Sequence, residues 1–147
     1  MTSLPQDLKD FLKLLNSHQV EYLLIGGYAV GYHGYPRATG DMDIWIGISP
    51  RNAKKMVSVL KKFGFDLPEI DEKLFLQKDK VLRMGNAPIR IKLLPTISGV
   101  DFEECYNQRI EDSIDDIVVN IIDLKNLKKN KKAAGRFKDL DDFEKLP

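Results

Sequence analysis

Residues 39–46 read TGDMDIWI and set two aspartates, Asp41 and Asp43, one residue apart at the head of an apolar, β-prone run. In a strand, residues i and i+2 share a face and lie roughly 7 Å apart. Asp41, Asp43 and Trp45 are therefore expected on one side, and Met42, Ile44 and Ile46 on the other. The apolar side can pack on helices and anchor the strand. The acidic side gathers two like charges, which repel each other unless a cation sits between them. Mg²⁺ favours carboxylate oxygens and keeps positions open for phosphates. The pattern leaves two readings: a dicarboxylate metal site, or a strand end with two solvated aspartates.

The preceding residues bear on that choice. VEYLLI, ending at Ile25, reads as a buried strand, and Gly26-Gly27 terminates it before a short helix or turn in YAVGYHGY. Glycines at such a turn let backbone N–H groups approach a phosphate, and a helix N-terminus favours an anion. The alternative is a plain strand-to-helix turn. A phosphate cradle and a dicarboxylate site within one short span are the two halves of a nucleoside-triphosphate site.

The elements that must position these residues follow from periodicity. Leu4, Leu8, Phe11, Leu12 and Leu15 recur at helical spacing over residues 4–16. A strand over 41–48 stops at Ser49-Pro50, and Pro50 opens a helix to about Phe63 with Ala53, Met56, Val57 and Leu60 inward. KVLRMG and IRIKLL (89–94), joined by Asn86-Ala87-Pro88, predict a β-hairpin. DFEECYNQ predicts a short helix and IDDIVVNII a strand. Asp123 can cap a helix over LKNLKKNKKAA that Gly135 ends, and DLDDFEKL forms a last short helix. The order predicts one α/β (α+β) domain over residues 1–147, a mixed sheet flanked by helices.

Composition agrees with a globule. Of 147 residues, 43% are hydrophobic and 31% charged, enough for a core. The net charge of +1 supplies no global field to recruit nucleic acid or an anionic membrane. A lone cysteine, Cys105, excludes an intrachain disulfide and a Cys-rich zinc site. The start, MTSLPQDLKD, lacks an apolar signal region, and no run approaches the ~18–20 apolar residues of a membrane span. The expectation is a cytoplasmic protein with no membrane partner.

The run IGGYAVGYHGYPRATGDMDIWI resembles the signature of the DNA polymerase β-like nucleotidyltransferases: a strand, two glycines, about a dozen residues, then Asp-x-Asp on the next strand. Its details resemble a small bacterial branch that includes AbiEii-type toxins. The likeness takes in Gly26, Gly27, His33-Gly34, Arg37, Thr39, Asp41 and Asp43. It continues at RMGNAPIRIKLLPTISGVDF and NKKAAGRFKDLDDFEKL. The resemblance implies a nucleotidyltransferase-like fold and transfer of a nucleotide from an NTP to a hydroxyl acceptor, with release of pyrophosphate. It implies that Gly26 and Gly27 hold the triphosphate, that Asp41 and Asp43 bind Mg²⁺, and that Lys132 and Arg136 face the nucleotide while Asp139 holds local structure. Arg37 is either a phosphate-neutralising group or half of a surface ion pair. Thr39 orients the turn, His33 packs it, and Tyr28 and Trp45 pack the core or rim. Asp142 reads as a first-turn helix acid.

One position departs from the family pattern. The resemblance implies a third carboxylate on a later strand, yet that place in Ile91-Lys92-Leu93-Leu94 holds Lys92. Asp79 and Asp101 lie beyond the strand. An ordinary lysine, with a pKa of ~10.4, is charged at neutral pH and is a poor base and a poor neighbour for Mg²⁺. Three outcomes follow: an active transferase with an altered Lys92 position, a nucleotide-binding site that no longer transfers, or a protein-interaction module in a toxin–antitoxin or defence setting with Lys92–Asp pairs filling the site. The acceptor (a protein or RNA hydroxyl, or a small molecule), the preferred NTP and any partner protein are not written in the sequence.

Overall fold

The structure is a computed structural model and describes residues 4–85 and 90–147. Six strands form one mixed sheet: β1 (Tyr22–Ile25), β2 (Asp41–Ile46), β3 (Leu82–Met84), β4 (Arg90–Leu94), β5 (Ile110–Ile114) and β6 (Ile117–Ile121). Their order is β3-β4-β2-β1-β6-β5. The β2–β4 and β1–β6 pairs are parallel and the others antiparallel. Among the described residues the α-helices are α1 (Gln6–Ser17), α2 (Gly26–Tyr32), α3 (Pro50–Phe63), α4 (Phe102–Asn107), α5 (Leu124–Ala134) and α6 (Phe137–Lys145). Among the described residues, no helix is long and apolar enough to cross a membrane.

The period-two pattern decides how the sheet is used. Met42, Ile44 and Ile46 of β2 are buried, and Ile91 and Leu93 of β4 lie in register with Met42 and Ile44 on the same face. Against this side pack α1, through Leu8, Phe11, Leu12 and Leu15, and α3, through Ala53, Met56, Val59 and Leu60. Burial of each large apolar side chain contributes about 1.5–3 kcal/mol. The ends of α3 are set by chemistry visible in the sequence. The Ser49 side chain accepts from the Asn52 amide at 3.1 Å, Pro50 occupies the first turn, and Gly64 takes the left-handed conformation at φ +108°.

The segment expected as one strand over IDDIVVNII is divided. Asp115 and Asp116 both have positive φ, at 54° and 67°, and turn β5 back on β6. Tight hairpins with paired left-handed residues match the twist of the strands, and aspartate tolerates that conformation better than most residues. β5 itself, IEDSI, was not expected: most of it is exposed, so it shows no long apolar run. The expected β3–β4 pairing is present, but its Asn86-Ala87-Pro88 connection and Ile89 lie outside the described residues. The capped α5 is as expected: Asp123 accepts from Asn126 N at 3.3 Å, and Gly135 stands at φ +71°.

Candidate functional site

The second face of the sheet carries the charges. Asp41 lies in register with Arg90 and Asp43 with Lys92, so β2 offers two carboxylates and β4 two cations side by side. Parallel neighbours are about 4.8 Å apart. These four side chains, with Gly26, Gly27, Arg37 and Thr39, line a pocket of about 340 Å³. Its remaining wall comes from the α5–α6 pair, which contributes Lys131, Arg136, Lys138 and Asp139. Arg90 Nε meets Asp41 Oδ1 at 2.9 Å.

The two glycines are required by close approach. Gly26 has φ +65°, and a Cβ there would collide with the Asp43 carboxylate at Oδ2. A Cβ on Gly27 would stand 2.5 Å from Thr39 Oγ1. The turn therefore lets the β2 side chains lie directly against the start of α2. Thr39 donates to the Asp41 carbonyl at 3.2 Å and so orients the entry to the strand, as the sequence predicts.

Asp43 is held in an unusual state. Its Oδ1 is buried and has no hydrogen-bond partner among the described residues. Burial pushes its carboxyl above the ordinary range; Lys92 pulls it down, Asp41 adds to the rise, and the net shift is upward. A buried acceptor without a donor is costly, and such groups mark sites that await a ligand.

Behind the pocket lies an ionic brace that the sequence reading resolved only in part. Asp142 is fully buried in the middle of α6 and is not a first-turn acid. It receives Arg37 in a two-pronged contact, Nε to Oδ1 and Nη2 to Oδ2, each 2.8 Å. Lys131 Nζ reaches Asp142 Oδ2 at 3.0 Å and Asp139 Oδ1 at 3.4 Å. Arg136 Nε meets Asp139 Oδ2 at 2.7 Å, and its backbone N–H donates to the same oxygen at 3.3 Å. Burial alone would raise the carboxyls of Asp139 and Asp142. Arg136 and Lys131 around Asp139, and Arg37 and Lys131 around Asp142, more than offset it, so both are lowered.

Of the residues singled out from the sequence, Gly26, Gly27, Arg37, Asp41, Asp43, Lys92 and Arg136 converge on this pocket. Lys132 does not line it: its ammonium lies 5.8 Å from the centre of the Phe143 ring. The lysine of the α5 run that does line it is Lys131, which the sequence could have revealed, since it follows the buried Leu127 by one helical turn. Arg90 was also missed, although it precedes Lys92 by two residues and must share its face. His33 packs the turn, with Nε2 at 2.7 Å from the Ile122 carbonyl oxygen. Trp45 is buried and donates to the Pro95 carbonyl at 3.1 Å, and Asp101 caps α4. A larger cavity of about 740 Å³ opens near Lys13, Lys62 and Met84, away from these charges.

Asp43 has an unpartnered oxygen, and Asp41, two residues earlier on the same strand face, is paired with Arg90 through Oδ1 alone, so the pair fits one divalent cation whose other positions are filled by water or phosphate. They do not fit two cations. Lys92 occupies the register position beside Asp43, and among the described residues no cluster of three or more His, Cys, Asp or Glu side chains could hold a metal.

No family model matches the sequence, and no curated protein matches it. Solved structures are similar to the chain, two proteins among them. One, from Thermotoga maritima and provisionally named a nucleotidyltransferase, superposes with a TM-score of 0.61 at 13% identity, over 94% of this chain and 88% of that one. The other is an antigenic nucleotidyltransferase-like protein of Paracoccidioides brasiliensis, with a TM-score of 0.55 at 16% identity, over 98% of this chain and 77% of that one. At such identities the likeness establishes the fold: this chain has a nucleotidyltransferase-like fold.

Proposed function

We propose that the chain transfers a nucleotide from an NTP to a hydroxyl acceptor, within the DNA polymerase β-like superfamily and its small bacterial AbiEii-toxin-like branch. The observation that carries this reading is the convergence of the Gly26-Gly27 turn, the Asp41/Asp43 face and a ring of cations on one pocket of this fold. The turn would receive the triphosphate, with Lys131, Arg136 and Lys138 neutralising its charge. The acceptor oxygen would attack the α-phosphorus as the bond to pyrophosphate breaks, and pyrophosphate would leave. Asp41 and Asp43 would hold one Mg²⁺, whose contribution is to stabilise charge developing on phosphate oxygens. The third carboxylate of the pocket, Asp139, is tied to Arg136 and Lys131, and the β4 position beside Asp43 holds Lys92, so the acceptor's proton would pass to water. A positioned general base typically contributes about 10²–10⁴-fold, and turnover is expected to be slow by that measure.

The test is incubation with each α-labelled NTP and Mg²⁺, with RNA and cell-extract protein as acceptors. Pyrophosphate release and labelled product are expected, and both should vanish in Asp43→Asn. Failure of the wild type to release pyrophosphate with any NTP would overturn the reading. A second reading, a nucleotide-binding module of a toxin–antitoxin or defence system that no longer transfers, is favoured by Lys92 beside Asp43 and by Arg90 on Asp41. NTP binding without pyrophosphate release would select it.

A further inference from the structure

We propose that Arg90 and Lys92 stand in for a second divalent cation, so that this pocket binds the polyphosphate of a nucleoside triphosphate directly on cationic side chains, and the one Mg²⁺ of the Asp41/Asp43 pair is needed for transfer and not for binding. The inference rests on the NTP reading above and specifies how the anion is held. Three observations support it. First, β4 places Arg90 against Asp41 and Lys92 against Asp43, on the same two-residue repeat as the carboxylates. The cations therefore stand along the full length of the acidic pair. Second, among the described residues Lys92 makes no ion pair within 4.0 Å, whereas Arg37, Lys131 and Arg136 are each committed to Asp139 or Asp142. Its ammonium thus has donors to give. Third, six cationic side chains line the pocket against three carboxylates, leaving an excess suited to a polyanion.

The physics favours phosphate over metal at this end of the site. An ammonium is a compact point charge that binds phosphate well, and a guanidinium offers a planar fork to two phosphate oxygens. A second divalent cation beside Lys92 would meet like charge at short range. An anion laid between β4 and the α5–α6 wall would instead meet Lys92 and Arg90 on one side and Lys138 and Arg136 on the other.

The experiment is calorimetric titration of inorganic tripolyphosphate and of ATP, GTP, CTP and UTP into the whole chain, once with Mg²⁺ and once with excess EDTA. The expected result is binding in EDTA within about threefold of that in Mg²⁺, weakened at least about tenfold in Lys92→Asp, since loss of a charge-assisted hydrogen bond has about that effect. Lys92→Asp should in turn acquire Mg²⁺-dependent binding. Wild-type binding that appears only with Mg²⁺ would overturn the proposal and leave the NTP reading standing. Absence of binding for every NTP in both conditions would overturn both. Displacement of NTP by a short RNA at lower concentration than by tripolyphosphate would also overturn it, in favour of a nucleic-acid backbone. The wild-type comparison needs no variant, so it does not depend on the folding of Lys92→Asp.

Discussion

Asp43 on β2 and the Asp139/Asp142 pair of the C-terminal helices behave in opposite ways. Asp139 and Asp142 are buried under Lys131, Arg37 and Arg136, and their carboxyls are lowered. Asp43 is also largely buried, but one of its oxygens has no partner among the described residues and its carboxyl is raised. Burial acts on all three in the same direction. What differs is whether the fold supplies donors. The α5–α6 pair closes its acids with cations and becomes a brace that joins the Arg37 turn to the C-terminal helices. β2 leaves Asp43 open toward a pocket. The brace is where the fold stabilises itself, and the β2 face is where it holds a destabilised group in readiness for a ligand.

The largest expected effect comes from breaking the brace. Asp142→Ala would leave Arg37 and Lys131 without their buried partner, and removing one member of a buried ion pair typically costs about 3–5 kcal/mol. Urea denaturation should show a loss of that order; a loss below about 1 kcal/mol would mean that the brace is not a support. Next comes a change of opposite sign. Asp43→Asn removes a buried charge with an unmet acceptor, and the variant should gain about 1 kcal/mol at neutral pH while losing nucleotide transfer. A stability loss of similar size would show that Asp43 is satisfied in solution.

Acid should then bring both variants toward the wild type from opposite sides. The folded Asp43 carboxyl is raised, so the folded state holds its proton at pH values where the unfolded chain has lost it. Wild-type stability therefore falls as pH rises through that window, and the Asp43→Asn advantage is full above it and shrinks on acidification. The folded Asp142 carboxyl is lowered, so its contribution is full above the ordinary carboxyl pKa of ~3.9 and is lost as pH falls through the lower folded value. Denaturation midpoints of both variants and the wild type, taken from pH 7 down to pH 3, check both signs. Parallel curves would sink the comparison.

The sequence showed the β2 face more clearly than the brace, and the reason is geometric. Asp41, Asp43 and Lys92 lie on strands, where a period of two assigns faces without further information, and the Gly26-Gly27 pair directly follows the apolar run of β1. The brace depends on which face of two short helices turns inward. Lys131 and Lys132 are neighbours in a lysine run, and only the buried Leu127 one turn earlier tells them apart. A last helix that starts at residue 139 puts Asp142 in its first turn; the start at Phe137 puts Asp139 and Asp142 one turn apart on the buried face. β5 was hidden for a different reason. It is an edge strand with three consecutive exposed residues, and its turn is made by Asp115-Asp116 without a glycine.

The smallest expected effect is the sharpest test of the comparison. Arg37–Asp142 and Arg90–Asp41 are ion pairs of nearly equal length, 2.8 and 2.9 Å. Distance alone would rank them together. Their surroundings do not: the Arg37 and Asp142 side chains are 15% and 0% exposed, whereas those of Arg90 and Asp41 are 46% and 32% exposed. Solvent screens the second pair, and exposed pairs contribute about 0–1 kcal/mol. Arg90→Gln should therefore change the unfolding free energy from urea denaturation by less than about 0.5 kcal/mol, while releasing Asp41 Oδ1 and strengthening Mg²⁺ binding at the two carboxylates. A loss near 2 kcal/mol would mean that β2 and β4 are braced as the C-terminal helices are, and that the charges on this face serve the fold before they serve a ligand.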